Sequence, residues 1–360
     1  MMFSTTYEIL LLLLTILTVV LQIYIIFLTR YKLPKSMENY RFFLYVFTFW
    51  DLVFTFTFGI LVVPYPLAPV LAADIRGVAG LLSFESAKVA VSALITLGAN
   101  VIHSQFWCLC YRFVAVLPNK SYQQAFCSVK WKLFVILVSQ CVTVSIGVGF
   151  YHTINTESET YHVLSDHLWL REDKKFEIRG RAILIEIVAF PWAQKYLYIV
   201  GILFVLTEVA CGVLVYVTMK ILNKYAASDR SFRLQRQLLK LLTLQISCPL
   251  IFIFLPVIAV ILVIFFETRV LSDLTDQIGL FMLSLIGLIN CILCLVFIGP
   301  YKQYTYSKFI KPFLLLVCPG KRQNPKIYTL DQRQQAAALS PTVVYNDVPS
   351  NALTASHTAL

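Results

Sequence analysis

The 360-residue chain predicts an all-α membrane protein, a seven-transmembrane helix bundle with its amino terminus outside, its carboxyl terminus cytoplasmic and a short amphipathic eighth helix. Three observations predict it. Hydrophobic residues make up 59% of the chain and charged residues 14%, against roughly 45–50% and about 25% in an average soluble domain. Seven apolar stretches of 19 to 26 residues recur along it, each matched at about 1.5 Å of rise per residue to a hydrocarbon core of roughly 30 Å. Finally, 21 of the 30 basic residues fall on alternate connections and the carboxyl-terminal segment, which places those segments on the cytoplasmic side.

The first stretch, residues 9–28, lacks the positive leader region and small-residue cleavage pattern of a secretory signal, so it reads as a retained helix. The second, 42–63, is interrupted by Asp51 and followed outside by "VVPYPLAPV", where proline ends helices by removing a donor and fixing φ. The third, 89–111, closes on "CYRFVAVLP", with Arg112 at the cytoplasmic mouth and Pro118 ending the helix. Between the fourth stretch, 133–151, and the fifth, 196–219, lies a long, charged outer loop. Its apolar run "AILIEIVAF" (182–190) is too short to span and reads as a loop strand or an outward extension of the fifth helix.

Glu208 interrupts the fifth stretch. In the connection to the sixth (241–266), Ser228 or Asp229 is placed to cap a helix that aligns Arg233, Arg236 and Lys240 on one face. Those cations either snorkel to phosphates or form a cytoplasmic docking surface. Pro249 and Pro256 put two kinks in the sixth helix. After the seventh stretch, 277–299, the segment "YKQYTYSKFIKPFLLLVC" suits a short helix in the inner interface, with Cys318 a candidate for acylation. Residues 1–318 thus form a membrane domain and 319–360 a polar tail expected to be disordered. The tail ends "HTAL", a pattern that a PDZ domain accepts.

Several classes are disfavoured. The net charge of +11 lies mostly on inner segments, where anionic headgroups explain it without nucleic acid. None of the nine cysteines falls in an outer segment, so no outer disulfide is expected. Cys291 and Cys294 sit one turn apart inside a span and read as packing residues; no HExxH, GxSxG or paired-aspartate motif occurs, so neither enzyme nor cofactor is expected. A transporter or channel is the alternative, but two intramembrane carboxylates, one histidine and no internal repeat make a thin pathway.

Polar residues inside a span are costly and should have partners. Counted at about 1.5 Å per residue from the cytoplasmic end, Asp51, Asn100, His103, Glu208 and Asn290 lie at roughly 13 to 18 Å, in one layer. Asp51, Asn100, His103 and Asn290 are therefore expected to form one buried cluster joining helices two, three and seven, acting either as a bistable switch or simply as glue.

"YRFVAVLP" resembles the aspartate-arginine-tyrosine element of rhodopsin-like G-protein-coupled receptors, with Arg112 in the arginine place, Phe113 in the tyrosine place and Tyr111 replacing the acid. More of the chain, about 9–311, is similar to the nematode serpentine chemoreceptors of the Str superfamily, class H above all. "LTRYKLPKSMENYRFFLYVFTFWDLVFT", "PYPLAPVLAADIRGVAGLL", "SFRLQRQLLKLLTLQISCPLIFIFLP" and "GPYK" carry the likeness. It implies a plasma-membrane receptor of sensory cilia that binds a small molecule outside and signals to a heterotrimeric G protein inside. On that reading Arg112, Phe113, Arg233, Arg236 and Lys240 serve coupling. Glu208, Tyr198, Phe254 and Phe281 are candidates to line a largely apolar ligand cavity. The seventh stretch has no lysine for a retinal linkage, and the aspartate restraining the arginine is missing.

Overall fold

In hydrocarbon no water pairs with backbone N–H and C=O groups, so an apolar stretch long enough to cross closes its hydrogen bonds within itself, as a helix. The computed structural model describes residues 2–33, 37–67, 72–117, 119–168, 179–185, 191–225, 230–254 and 269–312. The first span is α1 (Met2–Tyr31), and the second is α2 (Glu38–Phe56) continued by a π-helical segment, Thr57–Val62. Strands β1 (Pro64–Pro66) and β2 (Ala72–Ile75) and the short α3 (Val78–Leu82) lead into the third span, α4 (Phe84–Val116). A short α5 (Lys120–Phe126) precedes the fourth span, α6 (Val129–Thr153). Helix α7 (Glu157–Leu168) and β3 (Arg181–Leu184) follow, then the fifth span, α8 (Pro191–Tyr225). The sixth span begins as α9 (Arg230–Pro249), the seventh is α10 (Arg269–Phe297), and α11 (Gly299–Thr305) follows it.

Six helices among the described residues are long and apolar enough to cross a membrane. The sixth apolar stretch is described only to Phe254; Pro118, Pro256, Cys318 and the tail lie outside the described residues. Each described span begins several residues before its apolar stretch, because the helical ladder extends into the polar interface beyond the hydrophobic run.

Local chemistry sets several boundaries. Ser83 and Ser86 form a reciprocal cap that starts α4. Leu117 stops it in an extended conformation, ψ 141°, as expected before a proline. Pro249 lacks the N–H an α-helix needs, and there α9 gives way to a π-helical segment, Leu250–Phe254, so this kink site is a real break. Pro300 opens α11 in its first turn, where a missing donor costs nothing.

The third span is central, packing against the second, fourth, fifth and sixth, while the first packs on the second and seventh. At Gly287 on α10 an added Cβ would lie 2.9 Å from Thr55 Oγ1 and 3.0 Å from Thr18 Cγ2. Spans one, two and seven meet there through a small residue, as membrane helices do when lipid gives no hydrophobic drive to associate. One apolar core gathers around Tyr40, Leu109, Leu238, Leu242 and Tyr301; the other gathers around Tyr7, Phe58, Phe84 and Phe150. The latter end carries an antiparallel sheet ordered β1-β2-β3. Residues 182–184 are thus strand, as the loop-strand reading expects; 186–190 of that run lie outside the described residues.

The bundle unit comprises Met1–Tyr306. Its last helix is tied to the first span: Tyr301 donates to Thr29 Oγ1 at 2.7 Å, and Lys32 sits 4.5 Å over the Tyr304 ring.

Candidate functional site

Three layers of polar chemistry run through the bundle. At the sheet end, Asp74 on β2 is fully buried and accepts from the backbone N–H of Arg179 (3.1 Å) and Gly180 (3.0 Å) and from Arg76 Nε (2.8 Å). Arg76 reaches on to Glu8 at 2.6 Å and lies 3.8 Å over the Tyr65 ring. Burial works against the Arg76 charge, but the hydrogen bonds to Asp74 and Glu8 outweigh it and raise its pKa. Gly180 permits the approach, since a Cβ there would run into the Ile75 carbonyl. Tyr7 donates to Pro64 O at 3.1 Å, and Asn155 N–H to Leu184 O at 3.1 Å. A buried carboxylate and a sheet therefore clamp the long loop to the first span and to β1–β2, the task that packing and charge had to perform without a disulfide.

The middle layer holds the four residues expected to cluster, and they form two groups. Asp51 (3% exposed) is faced by Gln22 of the first span and Asn290 (1% exposed) of the seventh. The Gln22 amide also donates to Thr55 Oγ1 at 3.1 Å. Neither amide atom of Asn290 has a hydrogen-bond partner of good geometry among the described residues, so this contact is an approach and not a closed network. Asn100 turns the other way. It donates to Thr96 O at 3.0 Å and accepts from Gln140 Nε2 of the fourth span at 2.6 Å. His103 lies with Asn100 and Gln140 along a cleft between spans two, three and four. The single cluster is corrected to two, because Asn100 and His103, three positions apart, share the face of α4 that meets the fourth span, where Gln140 takes the Asn100 oxygen.

At the opposite end Arg112 is 2% exposed, and its guanidinium stacks 3.6 Å over the ring of Tyr40, itself 1% exposed. Tyr111 stacks in turn on Tyr40, with ring centroids 5.6 Å apart. The tyrosine in the acid's place thus joins an aromatic shelf that holds the arginine from beneath. A desolvated cation–π contact of this kind contributes about 2 kcal/mol.

The chain has a counterpart in known sequences: the model of the family described as serpentine type 7TM GPCR chemoreceptor Srh matches residues 3–311. The chain belongs to the Srh chemoreceptor family. Among solved structures it is similar to squid rhodopsin in its crystal structure, at 13% identity with a TM-score of 0.62, covering 94% of this chain and 92% of that one. That likeness establishes the seven-helix fold of the receptor. No curated protein matches the chain.

The Srh receptor is therefore a multi-pass membrane protein of a chemosensory G-protein-coupled receptor family. Of its coupling candidates, Arg112 is buried and Phe113 half-buried, while Arg236 and Lys240 are exposed one turn apart on α9. The Arg233 side chain lies outside the described residues, as does that of Phe254. Among the cavity candidates, Glu208 is buried, with Oε2 lacking a partner among the described residues, and Phe281 is half-buried beside the sheet-end core. Tyr198 is corrected: it is 63% exposed on the outer face of α8 and accepts from Gln194 Nε2 at 3.2 Å, one turn back on the same helix. Its ring meets lipid or headgroups, as aromatic residues near span ends commonly do.

Sequence reasoning missed Gln22, Tyr40 and the Asp74–Arg76–Glu8 clamp. Gln22 had a usable signal, being the one amide in the first apolar stretch. Tyr40 had none among so many aromatics.

Proposed function

We propose that this Srh receptor binds a small, largely apolar ligand on its extracellular side and passes the signal to a heterotrimeric G protein at the Arg112 end. The observation that carries the reading is the Arg112–Tyr40 stack, a buried cation held by a ring at the end where basic residues concentrate, with Arg236 and Lys240 exposed on α9. Cation placement sets the orientation, sheet end outside and Arg112 inside. The sixth span breaks at Pro249, between that face and the outer half of the bundle. A swing about this break would uncover Arg112 by moving Leu238 and Leu242, which pack in the same core as Tyr40. Glu208 and Phe281, with Phe254, are the side chains we assign to the ligand side, and Asp51 with Asn290 to the coupling layer between the ends. Residence in sensory cilia belongs to the same reading.

The test is a screen of volatile and water-soluble small molecules against cells expressing the full chain, with a G-protein activation readout, repeated with Arg112→Ala. A ligand that activates wild type and fails on a surface-expressed Arg112→Ala receptor supports the reading. Equal responses from both would remove Arg112 from coupling.

A further inference from the structure

The cleft between spans two, three and four has no part in the reading above. Phe42, Val46 and Trp50 of α2 form one wall, Val135 and Ile136 of α6 the other, and His103 lies on α4 between them. Phe42, Val46, Trp50 and Ile136 are themselves part-exposed, and their neighbours Phe49 and Leu137 are 51% and 63% exposed, so the cleft opens on the outer surface of the bundle. In a multi-pass membrane protein that surface meets acyl chains. His103 lies nine residues from Arg112, roughly 13 to 14 Å along the helix, so the opening falls well inside the hydrocarbon.

The other polar groups around the cleft are engaged. Asn100 uses its amide nitrogen on Thr96 O and its oxygen on Gln140 Nε2. The Trp107 indole N–H donates to Ser139 Oγ at 2.9 Å, and Ser104 Oγ to Val101 O at 2.7 Å. His103 is the exception: neither ring nitrogen has a partner among the described residues, and of the two only Nδ1 is sealed from solvent, so on a ring that lines the cleft Nε2 is the nitrogen an entering molecule can reach. A polar group without a partner in hydrocarbon is retained against a cost, and Nε2 is the one here that a ligand could relieve. Here water is scarce, and the apolar walls accept an apolar body.

We propose that this cleft is a binding site for a membrane-dissolved alcohol, a molecule with one hydroxyl on an apolar body, which enters from the bilayer and hydrogen-bonds to the His103 imidazole. The chemistry selects a hydroxyl: a neutral imidazole presents either a donor or an acceptor on its free edge, a hydroxyl answers both, and a carbonyl answers only one. The cleft is narrow, so it takes the hydroxyl-bearing end while the rest of the molecule lies between the second and fourth spans. This site is reached from the lipid and does not depend on where the extracellular ligand binds or on whether G protein couples.

The experiment uses the full chain in phosphatidylcholine nanodiscs, irradiated with a diazirine-bearing octanol or with the same diazirine chain lacking the hydroxyl, and adducts are located by peptide mass spectrometry. The alcohol is expected to label Val46, Trp50 or Ile136 at least fivefold more than the hydrocarbon. His103→Phe, which keeps a ring and removes both nitrogens, should abolish that preference, and His103→Gln, which keeps a donor and an acceptor, should retain it. Equal labelling by the two probes in wild type overturns the proposal even if neither variant folds. So does labelling confined to Phe49 and Leu137 on the outer faces, or an undiminished preference in monodisperse His103→Phe protein.

Discussion

Replacing Asp74 by asparagine keeps the shape of the side chain and removes its charge. In the native receptor this carboxylate accepts from two backbone N–H groups and from Arg76 Nε, all within 3.1 Å and with no solvent exposure. Asn offers one acceptor oxygen in place of two, so its NH2 group must point at one of the present donors. Hydrogen bonds to a charged group contribute about 1.5–3 kcal/mol each, and removing one partner of a buried ion pair costs roughly 3–5 kcal/mol. Glu8 remains on Arg76 and tempers the loss, so about 3 kcal/mol is the working figure for the loop clamp. At about 1.4 kcal/mol per tenfold, that is a loss of roughly a hundredfold in the protection of locally opening amides. Hydrogen exchange of the nanodisc-embedded receptor reads it directly: peptides covering 72–76 and 179–185 should exchange faster in Asp74→Asn, while those from the middle of α4 stay unchanged. Because the group is buried, salt should not mimic the effect. Protection in the variant within threefold of wild type would show that sheet pairing alone holds the loop and that the charge reasoning is wrong.

Three further outcomes are expected. Tyr40→Ala removes the ring under Arg112, worth about 2 kcal/mol, and should raise ligand-independent G-protein activation by up to roughly thirtyfold; Tyr40→Phe, which keeps the ring, should leave basal activity near wild type, and equal elevation in both would assign the restraint to the hydroxyl and not to the ring. Asp51→Asn preserves size within the Gln22–Asn290 layer and should leave surface expression intact while shifting the ligand dose–response; a normal response at normal expression would reduce the layer to glue. Asn119 begins a sequon, and it caps α5 by accepting from Ser121 N–H at 2.9 Å. In the proposed orientation it faces the cytoplasm and should carry no glycan, so a glycosidase-sensitive shift in gel mobility that Asn119→Gln abolishes would reverse the topology.

How far the sequence reached differs between the fold and the site. The seven apolar stretches stood out because hydrocarbon forces every backbone group in a crossing segment into its own helix, so composition along one dimension suffices. Pro249 and Pro118 marked helix breaks for an equally local reason, a missing donor and a fixed φ. The depth of Asp51, Asn100, His103, Glu208 and Asn290 was likewise a matter of counting residues from the nearest charged end.

What counting cannot supply is rotation. Asn100 and Asp51 share a layer, yet one turns toward Gln140 and the other toward Gln22 and Asn290. Tyr198, placed by sequence at the right height for a cavity, faces outward. These choices are made where helices touch: at Gly287, which lets three spans close on Thr18 and Thr55, and at the Tyr40 ring beneath Arg112. The sequence by itself determined how many times the chain crosses and what each crossing carries at each depth, because the solvent imposes that residue by residue. Which polar groups meet, and that a carboxylate on β2 clamps a loop more than a hundred residues away, was decided only in the tertiary structure, where side-chain packing between helices sets their relative rotation.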